Sequence, residues 1–389
     1  MITGLGAVSP VGADVESLWD ALLAGTTGVA AVQSFDATAF DVRIGCEVRD
    51  LELASAREPR PGRAALLAAA AGRQALAQAG LAIERRGDVA LALGTTMGES
   101  CWLEAWTTAD VVAGTVAAEE LVRSGPDQVG RDVAAELGLG GRVTVLAGAC
   151  AAGNYALGHA LDLVRLGRAD TVLAGGTDAF SRVAFTGFAR LGALAPDACR
   201  PFSADRSGLV LGEGAAFLVV ESATAAAARG AAVLAELVGI GLSGDAFHIV
   251  SPDPQGRGAA RAMAAALEDA RIPPGDVDYL SAHGTGTPAN DLAEVAAARS
   301  VFGDEGPPMS SIKALTGHGL GASSALEAVA CVRALQEQVA PPTWNFTRPD
   351  PACVWDVIPN EPRERELGVV VSNAYAFGGA NASVVLRAA

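Results

Sequence analysis

Residues 143–165 have the sequence VTVLAGACAAGNYALGHALDLVR, in which a short apolar run leads through small residues into an amphipathic segment. The run VTVL is continuous rather than alternating, which is typical of a strand whose sheet is covered by helices on both faces. The small residues on either side of Cys150 permit a sharp turn between strand and helix. The stretch therefore predicts a strand, a tight turn that carries Cys150, and a helix that starts immediately after it.

The same layout recurs at residues 309–332, with the sequence MSSIKALTGHGLGASSALEAVACV. Three further pairs of segments repeat in the same order: 2–9 with 237–243, 88–96 with 278–286, and 171–178 with 369–375. Repetition of a whole strand–helix layout indicates two copies of one supersecondary unit. We therefore predict an α/β protein with two halves, residues 1–230 and residues 231–389. A helical insertion is expected at about 99–141, where it could cover the site or meet another subunit.

The composition excludes several classes of function. The chain of 389 residues is half hydrophobic and has a formal net charge of −16, so it lacks the basic face that nucleic-acid phosphates require. Its apolar runs are shorter than the roughly 20 residues that span a bilayer, and no basic segment precedes the first strand as in a signal peptide. Its six cysteines form no C-x-x-C pair, which fits reduced thiols. We expect a cytoplasmic protein that binds neither nucleic acid nor a membrane.

Lys313 is the single lysine among 28 basic residues. Since arginine serves at all the other positions, the retained lysine suggests a site that needs a compact ammonium group. His283 and His318 each follow a predicted strand in the second half, and Lys313 precedes His318 by five residues. This grouping favours a catalytic role over packing. The other two histidines, His159 and His248, have no such setting and are expected to be structural.

The expected chemistry starts from Cys150. We expect its sulfur to face the N-terminus of the following helix, where unpaired N–H groups and the helix dipole favour a thiolate and lower the pKa. Two other interpretations are weaker. The glycines at Gly317–Gly321 resemble a dinucleotide loop, but no acidic residue follows at the required distance of about 20 residues. Cys150, His283 and His318 could form a metal-ligand set, but Lys313 beside them would oppose a cation, so we expect no metal.

The sequence resembles the β-ketoacyl-acyl-carrier-protein synthases, the elongating condensing enzymes of fatty-acid and type II polyketide biosynthesis, over nearly the whole chain. The resemblance rests on ITGLGAVSPVG at 2–12, the turn at Cys150, RPFSADRSG at 200–208, GEGA at 212–215, HGTGTP at 283–288, Lys313–His318, and NAYAFGGAN at 373–381. It implies a thiolase fold, with two pseudo-repeated βαβαβ halves in a layered αβαβα arrangement. Many members carry Ser or Thr where this chain has AAGNY at 151–155, which leaves the preferred acyl chain open.

The resemblance implies a catalytic set. Cys150 would hold the acyl group as a thioester, which divides one difficult condensation into two easier steps. His283 and His318 would stabilise the enolate that forms when a malonyl-carrier loses CO₂. Lys313 would orient and polarise the site, with Glu294 as a supporting residue through which it acts.

The resemblance also implies positions that bind the substrate. Backbone N–H groups of Cys150 and Phe377 would form an oxyanion hole, and the ring of Phe377 would gate access to the cysteine. Thr285 and Thr287 would hydrogen-bond the phosphopantetheine arm. Met97 would lie where the acyl channel approaches the dimer partner, so that it sets the accepted chain length.

The implied partners are an acyl carrier protein and its malonyl and acyl thioesters, within a homodimer or a ketosynthase heterodimer. No separate cofactor is expected, because the phosphopantetheine arm arrives on the carrier protein. Two alternatives remain open. The first is a non-catalytic chain-length partner of a ketosynthase, but such partners lack the cysteine, so Cys150 argues against it. The second is a non-decarboxylating thioester acyltransferase or thiolase, against which Lys313 and the paired His-Gly motifs argue.

Overall fold

The computed structural model describes residues 1–49, 51–57, 60–101, 104, 125 and 127–389. The described strands are β1 (Ile2–Val8), β2 (Ala30–Ala31), β3 (Ile44–Gly45), β4 (Ala90–Gly94), β5 (Val143–Leu146), β6 (Thr171–Asp178), β7 (Gly214–Glu221), β8 (Glu236–Gly244), β9 (Tyr279–Ser281), β10 (Met309–Ser310), β11 (Val339–Ala340), β12 (Arg363–Glu364), β13 (Val369–Tyr375) and β14 (Ala380–Arg387). The described α-helices are α1 (Val15–Ala24), α2 (Arg63–Gln78), α3 (Gln128–Leu137), α4 (Ala152–Arg165), α5 (Arg182–Arg190), α6 (Ala223–Ala228), α7 (Arg257–Ala270), α8 (Pro288–Phe302), α9 (Lys313–Thr316) and α10 (Ser323–Glu337).

Two five-stranded sheets share one strand order. The first runs β1-β7-β6-β4-β5 and the second runs β8-β14-β13-β9-β10. In both sheets the first three strands pair antiparallel and the last three pair parallel. The four pairs of repeated sequence segments therefore occupy equivalent places, with β1 matching β8, β4 matching β9, β5 matching β10 and β6 matching β13. The predicted α/β repeat is confirmed.

Helices lie on both faces of each sheet, so that three layers of helices and two sheets alternate in five layers. Helices α4 and α10 lie between the sheets, where α4 contacts β4, β6, β8 and β14, and α10 contacts β7 and β13. Helix α2 covers the outer face of the first sheet, and α7 covers the outer face of the second. One hydrophobic core joins the two halves through these central helices. Burial on both faces explains why the strands are continuous apolar runs, and the αβαβα arrangement of a thiolase-type fold is confirmed.

Two three-residue 3₁₀ turns occupy equivalent positions, Ala149–Ala151 before α4 and Leu320–Ala322 before α10. The first residue of each turn has a positive φ, 44° in the first turn and 53° in the second. Non-glycine residues rarely adopt this conformation, so both turns are strained in the same way. Their middle residues, Cys150 and Gly321, are counterparts in the two halves.

The outer edges of the two sheets differ. Strand β10 is fully buried, and Met309 donates its N–H to the carbonyl of Asp356 outside the sheet. Strand β5 is partly exposed along its whole length, and no described strand pairs with its outer edge. The edge strand that leads to Cys150 therefore remains open for pairing.

The predicted insertion at about 99–141 lies largely outside the described residues. Its described C-terminal part contains α3, which packs against α2 and β5. Within the parts of the chain that the structure describes, no helix is both long enough and apolar enough to cross a bilayer.

Candidate active site

Cys150 lies between strand β5 and helix α4, in the middle of the first 3₁₀ turn. It lines a cavity of about 210 Å³ that opens between the two halves. His283, from the loop after β9, and His318, from the loop after α9, line the same cavity. The structure therefore brings together the three residues that the sequence singled out.

The three side chains lie close enough to act on one substrate. The sulfur of Cys150 and one ring nitrogen from each histidine lie within 4.8 Å of one another. The two imidazole rings meet edge to face, with centroids 5.4 Å apart and an interplanar angle of 84°. All three side chains are buried, with at most 6 % of any residue exposed.

The hydrogen bonds of His318 fix the position of its proton. Its Nδ1 accepts the backbone N–H of Leu320 at 3.2 Å and lies 3.1 Å from the hydroxyl of Ser323. A neutral imidazole that accepts at Nδ1 carries its proton on Nε2. His318 is therefore set to donate a hydrogen bond from Nε2.

Lys313 imposes the same tautomer on His283. Its Nζ lies 3.4 Å from Nδ1 of His283 and donates to the His283 carbonyl at 2.7 Å. An ammonium group can only donate, so Nδ1 of His283 accepts and Nε2 carries the proton. Nζ also forms an ion pair with Glu327, a contact that the sequence did not predict.

The expected link from Lys313 to Glu294 is electrostatic, since the charge of Lys313 opposes the rise that burial causes in the pKa of Glu294. Both carboxylate oxygens of Glu294 accept backbone N–H groups, one from His283 and one from Gly284, each at 2.7 Å. Glu294 thus supports the His283 loop directly, while Glu327 is the partner of Lys313. The physical reason is position: Glu294 lies on α8 beneath the loop backbone, whereas Glu327 lies on the central helix α10.

Burial controls the charge of the site. Burial, with the charge of Lys313 in addition, holds the pKa of His283 and of His318 well below 6.5, so both imidazoles are neutral at pH 7. Burial raises the pKa of the Cys150 thiol to about 12, against the opposing effect of Lys313. The expected lowered pKa of Cys150 is therefore wrong, and the resting thiol is neutral.

A cation does not fit the donor set formed by Cys150, His283 and His318. Both imidazoles use Nδ1 to accept hydrogen bonds and carry a proton on Nε2, so neither offers a lone pair to a shared ion. The ammonium of Lys313 lies beside His283 and would repel a metal. The set therefore offers two imidazole N–H donors close to a sulfur.

Known proteins resemble the chain over its full length. The profile described as "Beta-ketoacyl synthase, N-terminal domain" matches residues 1–226, and the profile of the C-terminal domain matches residues 234–347. Nodulation protein E of Rhizobium leguminosarum bv. trifolii is 43% identical over 100% of this chain and 98% of its own length. The 3-oxoacyl-[acyl-carrier-protein] synthase 2 of Coxiella burnetii is 39% identical over 99% of this chain and 97% of its own. The chain belongs to the β-ketoacyl synthase family.

Solved structures agree with this assignment. The ishigamide ketosynthase/chain length factor superposes with a TM-score of 0.96 at 40% identity, over 100% of this chain and 98% of that one. A type II polyketide synthase ketosynthase, solved with its acyl carrier protein and bound to the hexaketide, superposes with a TM-score of 0.91 at 31% identity, over 100% and 98%. The protein is thus a condensing enzyme of the thiolase-type fold.

Phe377 contributes backbone and ring to the enzyme's cavity. The backbone N–H groups of Cys150 and Phe377 both act on the Cys150 sulfur and favour its thiolate. Phe377 is 39% exposed, and its ring packs against Phe188 with centroids 5.6 Å apart. Gly378, which follows, has a φ of 82°, a conformation that glycine adopts without strain. The geometry fits an oxyanion hole beside an aromatic ring.

The other substrate positions differ in their placement. Thr285 and Thr287 line the cavity, and their hydroxyl oxygens lie 2.9 Å apart. Met97 does not line this cavity; it packs against an aliphatic and aromatic cluster that includes Phe188 and Leu320. A role for Met97 in chain length therefore needs a channel that extends from the cavity into this cluster.

Three residues of the site escaped the sequence analysis. Glu327 left a usable signal, since it is a carboxylate in an otherwise apolar stretch of α10. Tyr375 ends β13 and packs its ring against His283 with centroids 5.9 Å apart. Phe188 left no local signal, because only the fold brings it next to Phe377.

Proposed function

We propose that the enzyme joins an acyl group held on Cys150 to the malonyl group of a malonyl-carrier protein, with loss of CO₂, to give a β-ketoacyl-carrier protein. One observation carries the proposal: two neutral imidazoles, each with a proton on Nε2, lie with the Cys150 sulfur inside 4.8 Å. Such a set can hold a thioester oxygen next to a second thioester on the sulfur.

The first step is transfer of the acyl group. The Cys150 sulfur attacks the carbonyl of the acyl-carrier thioester, and the backbone N–H groups of Cys150 and Phe377 stabilise the oxyanion. The bond to the phosphopantetheine sulfur then breaks. The proton that Cys150 loses leaves with that thiol, so the step needs no net proton donor. This exchange suits a cysteine whose resting thiol is neutral.

The second step is condensation. The malonyl thioester oxygen accepts hydrogen bonds from Nε2 of His283 and of His318. The bond to the carboxylate carbon breaks, CO₂ leaves, and its electron pair forms the enolate that these donors stabilise. The enolate carbon attacks the acyl carbonyl, the Cys150 thiolate departs, and one proton taken up from solvent restores the thiol. The ammonium of Lys313 keeps His283 in the donating tautomer.

The partners follow from the same proposal. We assign the carrier's phosphopantetheine arm to the side of the cavity lined by Thr285 and Thr287, so no separate cofactor is required. The open edge of β5 supports a dimer, because an unpaired edge strand is a template for another chain. Both a homodimer and a heterodimer with a chain length factor fit this edge. The division at residue 230 and the cytoplasmic location stay predictions.

The alternatives explain less of the site. A non-catalytic chain-length partner would have no use for a buried cysteine facing two oriented imidazoles. A non-decarboxylating acyltransferase would not need two N–H donors opposite the sulfur. Both therefore rank below the condensing reaction.

Product formation tests the proposal. Purified protein is incubated with an acyl-carrier and a malonyl-carrier, and CO₂ and β-ketoacyl-carrier are quantified together. We expect both products from the wild type and no β-ketoacyl product from Cys150→Ala. The matched control is Cys331→Ala, which removes another buried thiol outside the cavity. Wild-type protein that makes neither product across several chain lengths would refute the proposal.

A further inference from the structure

Asp178 ends strand β6 and is completely buried. Its Oδ1 accepts the hydroxyl of Thr95 at 2.8 Å and the N–H of Met97 at 2.7 Å. Its Oδ2 accepts the N–H of Thr96 at 2.9 Å and the N–H of Gly321 at 2.7 Å. One carboxylate therefore fastens the turn that carries Met97 to the 3₁₀ turn that precedes α10.

The four bonds require a carboxylate. Burial raises the pKa of Asp178 to about 6, and the four donors oppose this shift, so the group remains largely ionised at pH 7. An amide of the same shape offers only one acceptor oxygen. Its NH₂ group would face two N–H donors and leave them unsatisfied in a buried site, which is unfavourable.

The Gly321 N–H that Asp178 accepts has a counterpart in the catalytic turn. Gly321 corresponds to Cys150, whose N–H we assign to the oxyanion hole. In the second half the equivalent N–H is occupied by the carboxylate of Asp178. A Cβ on Gly321 would lie 2.7 Å from Oδ2, so only glycine permits this contact. The second turn is thus an oxyanion hole filled by the protein's own side chain.

The second turn also controls His318. Leu320, next to Gly321, donates the N–H that fixes Nδ1 of His318. The Leu320 side chain packs in the same hydrophobic cluster as Met97. The Asp178 carboxylate thus accepts the N–H of Met97 through Oδ1 and the N–H of Gly321 through Oδ2. Gly321 directly follows Leu320, the residue that orients His318.

We propose that the acyl chain on Cys150 reaches the cluster around Met97, and that Asp178 is a positioning residue that couples this contact to the orientation of His318. The proposal rests on the function proposed above. An acyl chain that displaces Met97 shifts the Asp178 carboxylate through the hydrogen bond at Oδ1. The hydrogen bond at Oδ2 then shifts the second turn. The enzyme thereby adjusts the enolate donor according to the acyl chain bound on Cys150.

The test separates the bonds of Asp178 to the turn that carries Met97 from its bond to Gly321 in the second turn. Asp178→Asn disrupts both, whereas Thr95→Val removes only a bond on the Met97 side. The control is Asp278→Asn, because Asp278 accepts the N–H groups of Gly368 and Val369 in a similar way, at 2.7 and 2.9 Å, outside the cavity. Each variant is assayed for Cys150 acylation against chain length and for malonyl-carrier decarboxylation, on protein with a cooperative melting transition.

We expect Asp178→Asn to lower decarboxylation by roughly 10- to 100-fold, as misplacement of a donor does, and to change the chain-length profile. Thr95→Val should change the profile and leave decarboxylation within about threefold, while Asp278→Asn should change neither. An unchanged profile in Thr95→Val, or equal losses in both assays at every chain length in Asp178→Asn, would overturn the coupling. A wild type that neither acylates nor decarboxylates would instead refute the proposed function.

Discussion

Lys313 and Glu327 form an ion pair in which each side chain is only 1% exposed. Burial raises the pKa of Glu327, and the charge and hydrogen bond of Lys313 oppose this rise. The remaining donors of Lys313 reach the carbonyl and Nδ1 of His283. The pair therefore anchors the ammonium where it sets the tautomer of one catalytic imidazole, a role that explains the single lysine of the chain.

The first prediction concerns this pair. Glu327→Gln and Lys313→Arg should each reduce decarboxylation, because the first removes the anchor and the second replaces a compact ammonium by a planar group. Removal of one partner from a buried pair also destabilises a fold by about 3–5 kcal/mol. Glu337→Gln, which breaks an exposed pair on the same helix, is the control and should cost less than about 1 kcal/mol. Wild-type decarboxylation by folded Lys313→Arg would contradict the role of the lysine.

The second prediction separates the two half-reactions. His283→Ala and His318→Ala should each lower malonyl-carrier decarboxylation by about 10²–10³-fold, the usual effect of losing one oxyanion donor. Self-acylation of Cys150 should fall less, because its oxyanion relies on backbone N–H groups. Both rates are measured on the same preparations, with His159→Ala as a control, because His159 does not line the cavity. A variant that decarboxylates normally and fails to acylate would show that the histidine serves acylation rather than decarboxylation.

The third prediction follows from the raised pKa of Cys150, about 12. Only the thiolate is alkylated, and the thiolate fraction grows tenfold per pH unit below the pKa. Alkylation of Cys150 by iodoacetamide should therefore accelerate by about tenfold per unit from pH 7 to pH 9 without a plateau. Peptide mapping separates this signal from the partly exposed Cys101. A plateau below pH 8 would show that the helix N-terminus outweighs burial.

The fourth prediction concerns chain selection. Met97→Ala should extend the accepted acyl chain and Met97→Trp should restrict it to short chains, if the channel continues into the cluster around Met97. Phe377→Ala should instead loosen the order in which substrates enter, because the ring lies at the cavity beside two glycines. The measurement is the rate of Cys150 acylation against chain length. An unchanged profile in both Met97 variants would place the end of the channel elsewhere.

The sequence predicted the repeat because each half buries its strands on both faces, so that continuous apolar runs mark them. It predicted Cys150, His283 and His318 because reactive residues follow strands in a recognisable order. It did not predict that Lys313 pairs with Glu327, since a carboxylate in the apolar stretch of α10 does not by itself indicate which cation it meets in the fold. The prediction that the pKa of Cys150 is lowered was also wrong, because the sequence shows where the helix starts but not how deeply the sulfur is buried.

The central claim is that Cys150 carries the acyl group. The most direct measurement is mass spectrometry of peptides after the protein is incubated with an acyl-carrier thioester alone, so that the condensation cannot remove the adduct. We predict one acyl group on the peptide that contains Cys150, and none on that peptide in Cys150→Ala. Acylation at Cys101 or Cys199, or an unmodified Cys150 at every chain length, would contradict the account.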